Sequence, residues 1–278
     1  MSIAEKEKRL ERAGLPVLRE IASPGGGGSV QAGVREDTMD IRIHNIGGYI
    51  VKNYLLETPV GWIAVDTGYP GGEGKFLERF AKLAALEDLK YIFLTHAHDD
   101  HAGFLSALLE RTAAKVILHP AGIPALESGQ SNEPPGAGYS SWPASLFSKF
   151  KKEFSFPPVK LGDRAVFVSS EADQVFKAAG LPLRILFLPG HTEDSIGLLL
   201  EETGELLCGD AAMNAVISVA RHTIWIEDAQ AFGRSWDKML ALSPSRIYPS
   251  HGRPFSPEDL RKYRHYLDGK ALIPPRHR

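Results

Sequence analysis

Residues Tyr91–Gly103 read YIFLTHAHDDHAG. The apolar run Tyr91–Leu94 stops at Thr95, and His96, His98, Asp100 and His101 follow at once. A short apolar run bounded by polar residues reads as a buried strand. Such a strand is a rigid support, and the loop leaving it frees side chains to converge on one point. Three imidazoles and this carboxylate in so short a space are a metal-binding set. Imidazole and carboxylate donors without thiolate point first to Zn2+, with Fe or Mn as the other candidates. His96 and His98 can face one ion, while Asp100 and His101, from the following turn, can serve a second.

Three further stretches place a metal-type ligand at the end of an apolar strand: Leu186–His191 (LFLPGH), Leu206–Asp210 (LLCGD) and Ile247–Gly252 (IYPSHG). Glycine flanks each of His191, Asp210 and His251, which lets backbone and ion approach closely. In the same manner Trp62–Val65 (WIAV) runs into Asp66-Thr67-Gly68. A metal-bound imidazole needs its other nitrogen held by a carboxylate or carbonyl, and Asp66 is the candidate for that task.

Strands alternate with helices around these stretches. IRIHNI and YIVKNYLLET read as strands about a Gly47-Gly48 turn. Lys115–Leu118, Ala165–Ser169, Leu183–Leu188, Ile196–Glu201, Glu205–Cys208 and Arg246–Pro249 read as further strands. Apolar residues at helical spacing predict a helix over Glu73–Leu86. Gly103–Glu110, Asp228–Leu242 and Ser256–Leu267 are expected as helices, the last with Pro257 in its first turn. The alternation predicts one layered α/β domain over residues 39–278. Residues 1–38, with four glycines at 25–28, read as a flexible N-terminal extension, and Met39 would serve as an alternative start. Glu127–Ser145 is rich in Gly, Pro and Ser, so an insert or lid is expected over about 121–160. Within it Tyr139, Trp142, Phe147 and Phe150 can line a pocket, and Lys149, Lys151 and Lys152 can contact an anionic substrate. Arg221, beyond Asp210, can hold a carboxylate or phosphate.

A chain of 278 residues that is 43% hydrophobic and 24% charged can bury a core without a metal staple. A metal site here therefore exists for chemistry. The net charge of −2 gives no basic field for gripping nucleic acid. A single cysteine, Cys208, excludes an internal disulfide and a multi-thiolate metal site. No apolar run reaches the roughly 18 residues of a membrane span. The charged start MSIAEKEKRLERAG has no apolar signal region, so a cytoplasmic location is expected. The expected partner is a small-molecule substrate.

Five motifs occur in order: VDTG (Val65–Gly68), THAHDDHAG (Thr95–Gly103), PGHTEDS (Pro189–Ser195), CGDAA (Cys208–Ala212) and PSHG (Pro249–Gly252). Together they resemble the metallo-β-lactamase-fold hydrolase superfamily over roughly Ile41 to Phe255. The resemblance implies a four-layer αββα sandwich with a dinuclear metal site at the edge of the sheets. It matches His96, His98 and His191 to the ligands of a first metal, and Asp100, His101 and His251 to those of a second. Asp210 matches the carboxylate that bridges both, and Asp66 a group that supports a ligand from behind. Asp100 would also hold the attacking hydroxide in line, which makes it the catalytic candidate.

Departures narrow the branch. Asp210 resembles the bridging aspartate of the glyoxalase II, lactonase and phosphodiesterase branches, which true β-lactamases generally lack. CGDAA resembles the homoserine-lactone lactonases, but their tyrosine three residues beyond the aspartate is Met213 here. GDAAM departs from the GDTLF-like motif of glyoxalase II enzymes. His98 stands where flavodiiron proteins place a glutamate. The resemblance thus implies a hydrolase whose hydroxide, shared by two ions about 3.5–4 Å apart, cleaves a small ester, thioester or lactone. The alternatives are a phosphodiesterase on the same site and a mononuclear iron dioxygenase of the sulfur-dioxygenase type. A non-catalytic scaffold would have lost ligands that this chain retains.

Overall fold

Neighbouring side chains of each strand enter different cores, and this alternation builds the layers. The computed structural model describes residues 40–131, 133–147, 155–173 and 175–275. The 1–38 extension, Lys149, Phe150, Lys151, Lys152 and the side chain of Phe147 lie outside the described residues. Among the described residues twelve strands are formed: β1 (Arg42–Asn45), β2 (Tyr54–Thr58), β3 (Gly61–Val65), β4 (Leu89–Phe93), β5 (Lys115–Leu118), β6 (Gly138–Tyr139), β7 (Ala165–Phe167), β8 (Leu183–Phe187), β9 (Ile196–Leu200), β10 (Glu205–Gly209), β11 (Trp225–Ile226) and β12 (Arg246–Pro249). One sheet has the order β1-β2-β3-β4-β5-β7 and a second the order β12-β10-β9-β8, while β11 and β6 form a small ribbon.

In β3, Trp62 and Ala64 pack with Phe76 and Phe80 of the helix Glu73–Phe80 and with Leu105 and Leu108. Ile63 and Val65 point the other way, into a core shared with Ile185, Leu198 and Leu207 of the second sheet. Leu206 and Cys208 then face Phe232, Trp236 and Met239 of the helix Ala229–Ala241. The order is helix, sheet, sheet, helix, the αββα sandwich. Both sheets are covered on two faces, which is why their strands are apolar runs rather than alternating ones. Trp236 is fully buried and its indole nitrogen donates 2.7 Å to the carbonyl of Ala211. Burial on that scale contributes roughly 3 kcal/mol.

Strand direction positions the site. β3, β4, β5 and β7 are parallel, as are β10 and β12. β8 and β10 both run antiparallel to β9, so they share a direction. The loops leaving β4, β8, β10 and β12 carry every candidate ligand, and the loop leaving β3 carries Asp66, each at the C-terminal end of its strand. The sheets meet there: Ile196 N donates 2.8 Å to the Thr95 carbonyl, and Tyr54 Oη 3.1 Å to that of Pro249.

Some elements differ from the sequence reading. The helix expected over Glu73–Leu86 ends at Phe80, where the chain tightens into turns such as Leu83 N to Phe80 O. Of YIVKNYLLET only Tyr54–Thr58 is strand. The preceding residues are drawn to the other sheet, where Val51 bridges His251 and Lys52 N donates to the Ser250 carbonyl. Helices Ile123–Ser128 and Trp142–Phe147 fall within 121–160, and Tyr139 exchanges backbone hydrogen bonds with Ile273. Among the described residues, no helix is long and apolar enough to cross a membrane.

Candidate metal centre

The loop after β4 presents His96, His98, Asp100 and His101. It is pinned by Asp194, whose buried carboxylate accepts from Ala97 N at 2.9 Å. Among the described residues three donor groups form: His96, His98 and His191; His96, His101 and Asp210; and Asp100, His101 and His251. The seven side chains assigned to two ions in the sequence therefore converge. His96 Nε2 and His98 Nδ1 each lie 3.1 Å from His191 Nε2. His251 Nε2 is 3.2 Å from Asp100 and 3.4 Å from Asp210, and His101 Nε2 is 3.7 Å from both carboxylates.

The outer nitrogens settle which way the lone pairs point. His191 Nδ1 donates to the Trp225 carbonyl at 2.8 Å, and His251 Nδ1 to that of Ile50 at 2.9 Å. His101 Nδ1 bonds Asp66 at 2.8 Å, and His96 Nδ1 lies 3.0 Å from the Thr95 hydroxyl, which itself donates to Asp66. Oxygens behind the rings hold the tautomers, leaving lone pairs aimed inward. His96 and His191 thus turn two lone pairs toward each other at 3.1 Å. Nitrogens bound to one tetrahedral zinc at about 2.0–2.1 Å stand roughly 3.3 Å apart, so this spacing suits a cation between them. His101 Nε2 and Asp210 Oδ1 are buried without hydrogen-bond partners among the described residues. Buried polar atoms are rarely left so, and a metal ion satisfies both. The residues fit the metal that the resemblance implies.

Burial pushes the His96 imidazole well down, and the neighbouring imidazoles His101, His191 and His98 reinforce this. Burial lowers His191 as well. Burial would also lower His101, but Asp66, Asp100 and Asp210 outweigh it and push it up to about 10. An ion taken by His101 must therefore displace a proton, which ties metal affinity to pH.

The donors lie in a cleft of about 640 Å³, to which His98, Asp100, His191, Asp210 and His251 are exposed. Tyr139 lines this cleft and packs edge-on against Trp225 at 5.3 Å. The other two substrate candidates are placed elsewhere. Trp142 is 68% exposed and is not among the cleft's walls. Arg221 also stands apart from them, because its guanidinium pairs with Asp259 at 2.8 Å and lies over the Phe255 ring. That ion pair fastens its loop to the helix Pro257–Tyr263, a structural use. Two residues escaped the sequence reading. Asp194 lies in the quoted PGHTEDS, but only the fold brings it beneath Ala97. Tyr69 follows VDTG and bonds Asp100 within the cleft. A lone tyrosine after a motif carries no spacing signal.

Gly190 shows why a glycine precedes His191. Its φ is 131°, and a Cβ there would collide with the backbone of Phe232 at the start of the helix Ala229–Ala241. Gly190→Ala is expected to cost about 2–5 kcal/mol, from a conformation open essentially to glycine plus overpacking. It should also loosen metal binding through His191. A denaturation midpoint and metal content equal to wild type would show that the close approach is not needed.

A family model described as Metallo-beta-lactamase superfamily matches residues 46–251. The Beta-lactamase-like protein 2 homolog of Caenorhabditis elegans is 27% identical over 215 residues, 75% of this chain and 59% of that protein. This chain therefore spans less than two thirds of that relative's length. The probable metallo-hydrolase YflN of Bacillus subtilis (strain 168) is 22% identical over 235 residues, covering 79% of this chain and 87% of YflN. The crystal structure of TTHA1623 in a di-iron-bound form matches with a TM-score of 0.55 at 23% identity, over 80% of this chain and 98% of that one. That likeness concerns the fold. With its sandwich, its motif order and the family match, the chain belongs to the metallo-beta-lactamase superfamily.

Proposed function

We propose that the protein hydrolyses the ester, thioester or lactone bond of a small molecule on a pair of divalent ions, with zinc the first candidate. The observation that carries this reading is the position of the donors. They open onto a cleft whose further walls include Met213, Ile217, Ile224 and Trp225. Apolar walls receive an organic acyl group better than a phosphodiester backbone. Bound ions supply a water acidified to near-neutral pH and positive charge for the oxygen of a cleaving carbonyl.

The chain's own groups do the rest. His96, His98 and His191 would hold one ion, Asp100, His101 and His251 the other, and Asp210 would join them. Asp100 faces the cleft, where its carboxylate can orient the attacking water and accept its proton. Thr223 donates to Asp210 at 3.4 Å and steadies it. Met213 carries no acidic proton, whereas Tyr69 brings a phenol into the cleft. Burial, with Asp100 and Asp99, raises that phenol, so it stays protonated at neutral pH as a hydrogen-bond donor. TTHA1623, which this chain resembles in fold, has a di-iron-bound form, and iron is accordingly our second choice of metal.

Elemental analysis tests the reading together with a panel of chromogenic esters, thioesters, lactones and phosphodiesters. About two ions per chain and turnover of an acyl bond are expected. Chelation should abolish that turnover, and adding back the metal first found in the protein should restore it. Cleavage of phosphodiesters alone would replace the substrate class. One iron per chain with oxygen consumption and no hydrolysis would overturn the reading.

A further inference from the structure

The mouth of the cleft combines two features that the chemistry of hydrolysis does not need. Tyr49, Ile50 and Val216 line it and are 80%, 61% and 86% exposed. Large apolar side chains gathered in water at one opening mark a binding surface more often than chance exposure. Lys52 and Arg253 line the same cleft, and among the described residues neither is in an ion pair with a carboxylate. Glu133 lines the cleft too, and among the described residues it forms no ion pair with either.

Backbone ties hold the two cations on neighbouring segments. Val51 bridges His251, Lys52 N donates 2.8 Å to Ser250 O, and the Arg253 carbonyl accepts from Asn214 Nδ2 at 2.9 Å. Lys52 Nζ is held by the Gly48 carbonyl at 3.0 Å, a neutral partner that leaves its charge uncompensated. Burial pushes the Lys52 ammonium down, and the like charge of Arg253, which lines the same cleft, lowers it further. Like charges held together repel, and an anion between them relieves the cost.

We propose that Lys52 and Arg253 form an anion-recognition pair at the mouth of the cleft, so that the site takes an amphiphilic acyl substrate with an apolar chain and one acidic group. This rests on the hydrolase reading above and names the substrate class for it. The acidic group is a carboxylate or a phosphate monoester; a guanidinium and an ammonium recognise both.

The test is calorimetric binding of decanoate, decyl phosphate and decanol to the metal-loaded protein, none of which has a bond for it to hydrolyse at the acyl position. Wild type is expected to bind the anions about tenfold more tightly than decanol, with a preference that weakens as salt rises. The Lys52→Met/Arg253→Met double variant should lose the preference, and Lys52→Arg should keep it. The tighter of the two anions identifies the acidic group. Equal binding of all three by wild type overturns the proposal. So does a preference that survives in the double variant, since the metal ions alone would then account for it. Turnover of p-nitrophenyl hexanoate is measured beside this. Its absence would count against the hydrolase reading, while the binding series still decides the role of the two cations.

Discussion

Asp210→Ala is expected to reduce bound metal to about one ion per chain or fewer and to lower kcat/KM by about 10³-fold or more, the scale of several kcal/mol of lost charge stabilisation. Asp210 is the carboxylate placed between the group His96, His98 and His191 and the group Asp100, His101 and His251. It lies 3.8 Å from His191 on one side and 3.4 and 3.7 Å from His251 and His101 on the other. Its Oδ1 is buried without a hydrogen-bond partner among the described residues, a place that a metal ion would fill. The variant should still fold, because the only hydrogen bond described for this carboxylate comes from Thr223 at 3.4 Å. Asp210→Asn separates charge from shape: it keeps the contact with Thr223 but removes the anion, and should lose metal nearly as fully. Two ions and wild-type turnover in either variant would remove Asp210 from the centre. A lost fold in both would show that the carboxylate is structural, and circular dichroism distinguishes that case.

The readable part of this site and the hidden part differ for a physical reason. Ligands such as His96 and His191 follow apolar runs, and an apolar run can be recognised from local composition alone. Strand ends in one direction then collect ligands that lie far apart in the chain. The layering was readable for the same reason, since YIFL and LLC are too apolar to face water on either side. Groups that act across the gap between sheets leave no such trace. Asp194 beneath Ala97 and Tyr69 against Asp100 depend on which loops the two sheets bring together. Tyr49–Asn53 looked like the continuation of a strand because its residues suit one. Its hydrogen bonds go instead to the loop around His251, and this moves Lys52 to the cleft. Arg221 offered a charge beyond a ligand, but a charge of unknown direction says little, and Asp259 claims it.

Asp66→Ala is expected to be the most damaging substitution for stability and to weaken metal binding as well. Asp66 is completely buried, and its carboxylate accepts from Thr95 N at 2.7 Å, Thr95 Oγ1 at 2.8 Å, His101 Nδ1 at 2.8 Å and Ser250 Oγ at 3.2 Å. These donors come from the loops after β4 and β12, so one side chain laces the two sheets at the centre. Alanine strands all of them in a dry interior, where breaking such a buried charged network costs roughly 3–5 kcal/mol. It also inherits a φ of 62°, a left-handed conformation that aspartate tolerates better than alanine. A loss of that size is a large share of the roughly 5–15 kcal/mol that holds a domain folded. Asp66→Asn isolates the electrostatic part. An amide can keep one oxygen facing Thr95 N, but its NH2 then meets His101 and drives that ring to the other tautomer, with Nε2–H aimed at the metals. The asparagine variant should therefore fold yet bind metal about 10–100-fold more weakly. Urea denaturation and metal titration on the two variants separate these effects. If Asp66→Asn binds metal like wild type, the carboxylate does not set the His101 tautomer, and its role is confined to joining the sheets.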